Sequence, residues 1–581
     1  MKNLTFLLLV SLASFISCKN STENSQKDKS QNFQQTIYFG GDIVTMEGDS
    51  LNYAEAVVQK EGKIIFVGTK SKAFQQYEAE SKKYDLKGET MMPGFIEPHA
   101  HPVSIGALTL ANDIASPHEW RMPHKTYPAV KAHDNYLKAI KNIVESKTDN
   151  NITAFIWGYH KSWHGDLTLK DLDEATGDFP TIIWQRSGHE IFINSAAMKK
   201  YNIQKTDLEE HTQVDWDNNH FWERAYQRIK TKKLADIFAN KKMLQLGIER
   251  LTQMMLQNGI TAMSEPGFPI TNFENEYAIL KEGAEKAKSF TFYLIAGFPE
   301  QYTLKMSASD FEKKIKARSK YDTEYIKFQT NQYKTFGDGA IYSLALQLQD
   351  GFYNCPNCHG EWIVPLKMAE PLFNTYWNKG YKIHVHLTGD LGVEEYLNIT
   401  ERAMKKNPRT DHQTTFHHLG LFTAQQAERM AKLGIEASVN PYYLWALADK
   451  YSETGMGPER APFMVAIHEL TKRNIPVSFH SDFAMAPAEP LTLAWTAINR
   501  IVASGKVMRP DQRISVYDGM KGITISAART IGEEKNIGSI KEGKEATFTI
   551  LKQNPFKINP TKIKDIPIVG IVYKGKFRSS H

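Results

Sequence analysis

The feature that most constrains this chain is a long alternation. From about residue 91 to residue 481, short apolar strand-like runs take turns with helical stretches rich in Lys, Glu, Leu and Ala. The runs at 91–96, 152–158, 181–184, 260–264, 290–296, 325–334, 382–386, 414–418, 436–439 and 476–481 read as strands, and 244–258 and 424–433 read as helices. Repeated β–α units of this kind favour a parallel sheet, and the closed form of such a sheet is an α/β (β/α)8 barrel. Ten candidate strands compete for eight places, so some of them belong elsewhere.

The ends of the chain read differently. Residues 36–92 carry short strands and turns, at 36–40, 56–59 and 62–68, and the same punctuation returns at 546–551 and 569–577. A chain of 581 residues is too long for one ordinary core. The expected division is a small composite β-sandwich formed from both termini, 36–92 and 536–581, around a barrel at 93–535. In a barrel the specificity lies in the loops after the strands, and the long segments 107–150 and 200–242 are the places expected to carry it.

The first residues belong to neither unit. Lys2 is followed by a mainly apolar stretch at 4–16, small residues and Cys18. This resembles a bacterial lipoprotein signal, with residues 1–17 removed, Cys18 lipidated and the polar stretch 18–35 acting as a tether. An ordinary cleaved signal with an incidental cysteine is the alternative, and both readings export the protein. The expected location is periplasmic or cell-surface, with membrane contact only through the anchor. No other apolar stretch is long enough for a transmembrane helix. The net charge of +6 is spread without a long basic run, which argues against a nucleic-acid partner. Beyond Cys18 the chain has one cysteine pair, in Cys355-Pro356-Asn357-Cys358-His359. That spacing leaves a disulfide, a metal clip and a haem attachment open.

The chemistry is concentrated at strand ends. In Pro93-Gly94-Phe95-Ile96-Glu97-Pro98-His99-Ala100-His101, the two histidines are separated by one residue. On extended backbone they point to one side, so His99 and His101 can offer two imidazoles to one metal. His386 ends the run 382–386, His418 ends 414–418, and Asp482 follows 476–481. Barrel enzymes build their sites at the C-terminal ends of strands. An ordered set of His-x-His, His, His and Asp in such places is the pattern of a catalytic metal site with imidazole and carboxylate ligands.

These motifs, with Gly188-His189 through Asn194-Ser195, Lys334 ahead of Phe336-Gly337-Asp338-Gly339, His386 through Asp390, and the closing stretch 537–548, resemble the amidohydrolase superfamily. The likeness is to its amidohydrolase-3 branch, which includes N-substituted formamide deformylase-like hydrolases, and it runs from about residue 36 to 577. The resemblance implies that His99 and His101 bind one metal and that His386 and His418 bind a second. It further implies that Lys334 bridges them as a carboxylated lysine and that Asp482 completes the site and shuttles the proton. His417 stands where the branch commonly has Glu, so the choice between His417 and His418 stays open. His189 is expected to act on the substrate, positioning it or stabilising its oxyanion, and Asn194 to help bind it.

The resulting expectation is a hydrolase that uses metal-activated water on a non-peptide C–N bond, amide, N-acyl or N-formyl, of a small molecule. One or two divalent ions per chain, zinc first among them, suit these ligands. Such an ion lowers the pKa of bound water from about 15.7 toward about 7. Ester or lactone hydrolysis, or another metal-assisted reaction, uses the same groups. A non-catalytic surface lipoprotein that binds a small ligand is the reading outside enzymes, and a homodimer is compatible with all of these.

Overall fold

Eight short strands form a ring of parallel ladders. They are β1 (Phe95–Glu97), β2 (Ile260–Pro266), β3 (Thr291–Ile295), β4 (Gln332–Phe336), β5 (Lys382–Leu387), β6 (Thr415–His418), β7 (Glu436–Val439) and β8 (Val477–Phe479). A computed structural model of the chain describes residues 34–149, 151–209 and 211–580. The signal and lipid anchor expected at residues 1–17 and Cys18 therefore lie outside the described residues. β1, β2 and β3 pair in parallel, and so do β4 through β8. Single parallel bridges join the two sheets at both seams, Gly297 to Lys334 and Ala100 to Phe483. The amides of Lys334 and His101 close these seams on the carbonyls of Ala296 and Phe483, each at 2.9 Å.

The stretch 325–334, expected as one strand, is interrupted. Ile326–Phe328 pairs with β3, and the chain then steps across to begin β4. The runs at 152–158 and 181–184 do not enter the ring. They become Ala154–Tyr159 and Thr181–Gln185 in a separate six-stranded sheet. The cause is local: Thr181–Gln185 turns back through Gly188, at φ 76°, into antiparallel Glu190–Ile193. A hairpin has no crossover helix, so it cannot extend a parallel barrel. This inserted sheet, its flanking helices and the hairpin Trp120–Met122/Lys125–Tyr127 take up both long segments expected to carry specificity. Trp157, Trp184 and Ile191 share one apolar core with Ala100, Val103, Phe483 and Ala488, immediately after β1 and β8. The insertion is thereby seated on the end of the barrel where those strands finish.

The opposite end is plugged. Helix Ile525–Ile531 packs Ala527, Ala528 and Ile531 against Ile96, Ala262 and Tyr293. The composite terminal unit is one sheet of eight strands, seven in a continuous hydrogen-bonded path and Lys82–Asp85 beside Gln35–Val44 off that path, with Thr90–Pro93 running antiparallel to Phe548–Leu551. Its core contains Tyr38, Ile43, Val57, Leu86, Phe548 and Ile550. No helix among the described residues is long and apolar enough to cross a membrane.

Helix Lys241–Gln257 returns the chain from the insertion to β2. Its Gly247 lies so close to the segment after His101 that a Cβ there would stand 1.9 Å from the carbonyl oxygen of Ala107. Gly247→Ala is expected to lower stability by about 1–3 kcal/mol through overpacking. Leu246→Ala, on the exposed side of the same helix, should stay within about 0.5 kcal/mol of wild type. Chemical denaturation midpoints of the two variants check this, and equal midpoints would refute the close approach.

Candidate metal centre

Strand alternation explains how the barrel collects its polar groups. On β4, Gln332 and Lys334 occupy one face; on β5, Lys382, His384 and His386 do; on β8, Ser478 leads to His480. His384 stands beside Gln332, with Nε2 2.8 Å from its Oε1, and Thr530 from the plug donates to Ser478 at 2.8 Å. β6 breaks the alternation. His418 has φ 74° and sits at the centre of a three-residue turn, in which the amide of Leu419 donates to the carbonyl of His417 at 3.0 Å. The turn brings His417 and His418, adjacent in sequence, into one cluster. Asp482 is likewise left-handed, at φ 56°. Such backbone is costly for a residue with a side chain, and it is found where the surrounding structure imposes it.

Asp482 lies among three of the expected imidazoles. Its Oδ1 is 3.6 Å from His99 Nε2 and 3.4 Å from His101 Nε2, and its Oδ2 is 3.8 Å from His418 Nδ1. His386 packs beside His418, with ring centroids 4.2 Å apart. Lys334 is buried and its Nζ has no hydrogen-bond partner. Two ligand sets share His99: one is His99, His101 and Asp482, the other His99, His418 and His480, and in each the ligand atoms lie within 4.8 Å of one another. The second set differs from the expected pairing of His386 with His418, since it includes His480.

Glu265, at the end of β2, adds a carboxylate that the sequence reading missed. It is buried, its Oε1 is 3.6 Å from His101 Nδ1, and neither oxygen has a hydrogen-bond partner. His101 Nδ1, His386 Nε2, His418 Nε2, both nitrogens of His480 and Asp482 Oδ1 are buried and unpartnered as well. An unsatisfied buried polar atom costs about 1–3 kcal/mol, and a charged one more. Imidazole nitrogens and carboxylate oxygens aimed at a common point are a donor set that fits a divalent cation.

The charge states agree with that fit. Burial, and then the charge of Lys334, hold His99 well below the ordinary imidazole range. Burial likewise depresses His386 and His418 and brings His480 down to about 3, so these rings are neutral ligands. His101 goes the other way: burial opposes its charge, but Asp482 and Glu265 push it up to about 9. Burial raises Glu265 to about 7 and lowers Lys334 to about 7. Burial would raise Asp482 too, yet its contact with His101 keeps it below the usual carboxylate range.

A second tier fixes the ligands. His99 Nδ1 is 2.8 Å from His417 Nδ1, and His417 Nε2 is 2.8 Å from His384 Nδ1. The relay ends on Gln332. His417 thus orients His99, while His418 carries the ring nearer Asp482. The Glu97 carboxylate accepts from the amide and hydroxyl of Ser481, at 3.1 and 2.6 Å, and so ties β1 to the segment bearing Asp482. Asp338 accepts from the amides of Gln347, Thr388 and Gly389 at 2.7–3.0 Å, locking the loops after β4 and β5 together.

Of the two residues expected at the substrate, one remains a candidate. His189 is partly exposed, its Nδ1 lies 3.1 and 3.2 Å from the Glu223 carboxylate oxygens, and its charge is felt by His386 and Asp482. Burial opposes the charged ring, but Glu223 holds its pKa above the ordinary value. Asn194 is a correction. Its Oδ1 accepts from Thr181 and Ala197 and its Nδ2 donates to Thr176 and Phe179, all at 2.8–2.9 Å. With its amide fully used to cap helix Ser195–Lys200, it has nothing to offer a substrate. Cys355 and Cys358 form a disulfide, with Cα atoms 5.3 Å apart, so neither sulfur serves as a metal or haem ligand.

The sequence profile of the Amidohydrolase family matches residues 82–578. YtcJ of Bacillus subtilis (strain 168) is 24% identical over 555 residues, covering 93% of this chain and 99% of that protein. The N-substituted formamide deformylase of Arthrobacter pascens is 22% identical over 545 residues, covering 90% and 95%. Among solved structures, an uncharacterized metal-dependent hydrolase from Pyrococcus horikoshii OT3 superposes with a TM-score of 0.68 at 18% identity, covering 90% of this chain and 99% of that one.

His417→Leu removes the orienting partner of His99 without removing a ligand atom from either set. It is expected to weaken metal binding about 10- to 100-fold, measured by competition with a chromogenic chelator. Unchanged affinity would show that the relay has no part in holding the site.

Proposed function

Because the chain belongs to the amidohydrolase family and is a metal-dependent hydrolase, we propose that it cleaves a non-peptide C–N bond, amide, N-acyl or N-formyl, in a small molecule. The observation that carries this reading is Asp482, a buried carboxylate set among three imidazoles with one oxygen unpartnered. His99, His101, His386, His418, His480 and Asp482 would hold the metal, and the mixed imidazole and carboxylate set favours zinc. A divalent ion held there supplies acidity to water and polarises a carbonyl.

The chain's own groups supply the rest. Asp482 takes the proton of the attacking water and delivers it to the leaving nitrogen as the C–N bond breaks. His189, whose charged form Glu223 favours, would stabilise the developing negative charge on the carbonyl oxygen. Lys334, whose amine burial holds near neutrality, could take up carbon dioxide with loss of a proton, and the resulting carbamate would add an anionic ligand to the metal-holding set. The likeness to a protein named for its action on N-substituted formamides supports the choice of a C–N bond. Residues 1–18 support an exported, anchored enzyme that meets its substrate outside the cytoplasm.

Screening N-formyl and N-acyl amines with zinc-loaded protein tests the reading. Hydrolysis that is abolished by chelation and restored by zinc is expected; a metal-replete preparation inert toward the whole panel would overturn it. Asp482→Asn should lower kcat by about 10²–10⁴-fold, the range of a general acid–base group. Near-wild-type turnover in that variant would remove Asp482 from the proton transfer.

Lys334→Ala separates one-metal from two-metal chemistry. A fall from near two ions per chain to one, read by elemental analysis, is expected. A stoichiometry unchanged by the substitution would take Lys334 out of the site.

A further inference from the structure

Three arginines are buried among the described residues, and two are fully accounted for. Arg318 grips the Glu300 carboxylate, with Nη2 2.6 Å from Oε1. Arg500 donates to the carbonyls of Pro462, Val465, Met464 and Met508 at 2.8–3.2 Å. Arg186 is different. It is 0% exposed, its Nη1 lies 2.8 Å from His118 Nδ1, and its Nη2 reaches the Met485 carbonyl only at 3.4 Å. Its Nε has no partner.

The unused edge is the one that matters. Elsewhere in this chain Arg402 and Arg509 each take a carboxylate through Nε and Nη2, at 2.7–2.9 Å. In Arg186 that same fork carries one weak bond and one free donor. The rings of Tyr342, Tyr442 and Trp120 stand 4.9, 5.6 and 5.8 Å from the guanidinium carbon. They soften the burial of its charge, but they do not neutralise it.

Position links this cation to the metal centre. Arg186 lies in the turn of the inserted hairpin, three residues before His189. Ser187 Oγ is 2.9 Å from Ser343 Oγ, which fastens the turn to the segment after β4. Met485 follows Asp482 by three residues. Tyr342 packs edge-on to Tyr443 at 5.4 Å, and the Tyr443 hydroxyl is 3.2 Å from His418 Nδ1. Two tyrosine rings therefore separate the guanidinium from a metal-site imidazole.

We propose that Arg186 anchors a carboxylate on the substrate, so that the enzyme acts on anionic amides such as N-acylated or N-formylated amino acids with a flat apolar side chain. The carboxylate would occupy the Nε–Nη2 edge in place of the Met485 carbonyl, the aromatic walls would take the side chain, and the scissile bond would lie toward the metal centre. This rests on the hydrolytic reading above.

The test uses zinc-loaded full-length protein with N-acetyl-phenylalanine and its methyl ester, reading binding by calorimetry and turnover separately. Wild type should bind the acid about 10-fold or more tightly than the ester. Arg186→Met should erase that preference while binding the ester as before, and Arg186→Lys should recover part of it. Equal binding of acid and ester by wild type would overturn the proposal without any variant, and so would an Arg186→Met protein that keeps the preference. Acid-selective binding without turnover would count against the hydrolytic reading alone. Turnover without acid selectivity would count against Arg186 alone.

Discussion

A knot of ionisable side chains held away from water governs this molecule. Imidazoles from β5 and β6 and from the segments just after β1 and β8 meet the carboxylates of Asp482 and Glu265 and the amine of Lys334, and many of their polar atoms have no protein partner. Such an assembly is unfavourable unless a cation draws the lone pairs together. The barrel exists to make that gathering rigid. Strands whose alternate residues face inward deliver one group each from different directions, and the second tier keeps the rings from rotating away. The relay from His99 through His417 and His384 to Gln332 descends through the barrel and fixes the nitrogen that each ring presents.

The same frame gives the inserted sheet its place. It is seated where β1 and β8 finish, sharing a core with the segments after His101 and Asp482. From there its hairpin brings in His189, paired with Glu223, and the fully buried Arg186. Division of labour follows: barrel strands hold the candidate metal centre, while a separate sheet carries His189 and the proposed substrate anchor Arg186. A change in the insertion can alter selectivity without disturbing the metal ligands.

How much of this could be read from residues alone varies with the physics of each feature. The His-x-His pair and His386, His418 and Asp482, at or just past the ends of β5, β6 and β8, are visible because period-two geometry and strand ends are written locally. Glu265 is not, because the apolar run reads as ending at residue 264, whereas β2 continues to Pro266. His480 lies inside the run 476–481, and its alternation with Asp482 is the signal that points to it. The choice between His417 and His418 depended on a left-handed turn and a hydrogen-bond relay, neither of which spacing reveals. The motif points Asn194 at the substrate, and only the four bonds of its amide show that it is a helix cap. Ala154–Tyr159 and Thr181–Gln185 look like barrel strands, since apolar content does not distinguish a parallel neighbour from a hairpin.

The terminal sheet has a consequence for how the chain reaches this state. Thr90–Pro93 can acquire its antiparallel neighbour only when Phe548–Leu551 arrives, after the whole barrel and insertion have been made. Contacts this distant in sequence are late events and slow folding. During synthesis the early strands expose an unpaired edge for the time needed to complete almost the entire polypeptide. That interval is when strand-to-strand association between nascent chains competes with self-completion. A chain stopped short of residue 548 therefore keeps an open sheet edge at Thr90–Pro93, beside strands of the barrel that have already been made.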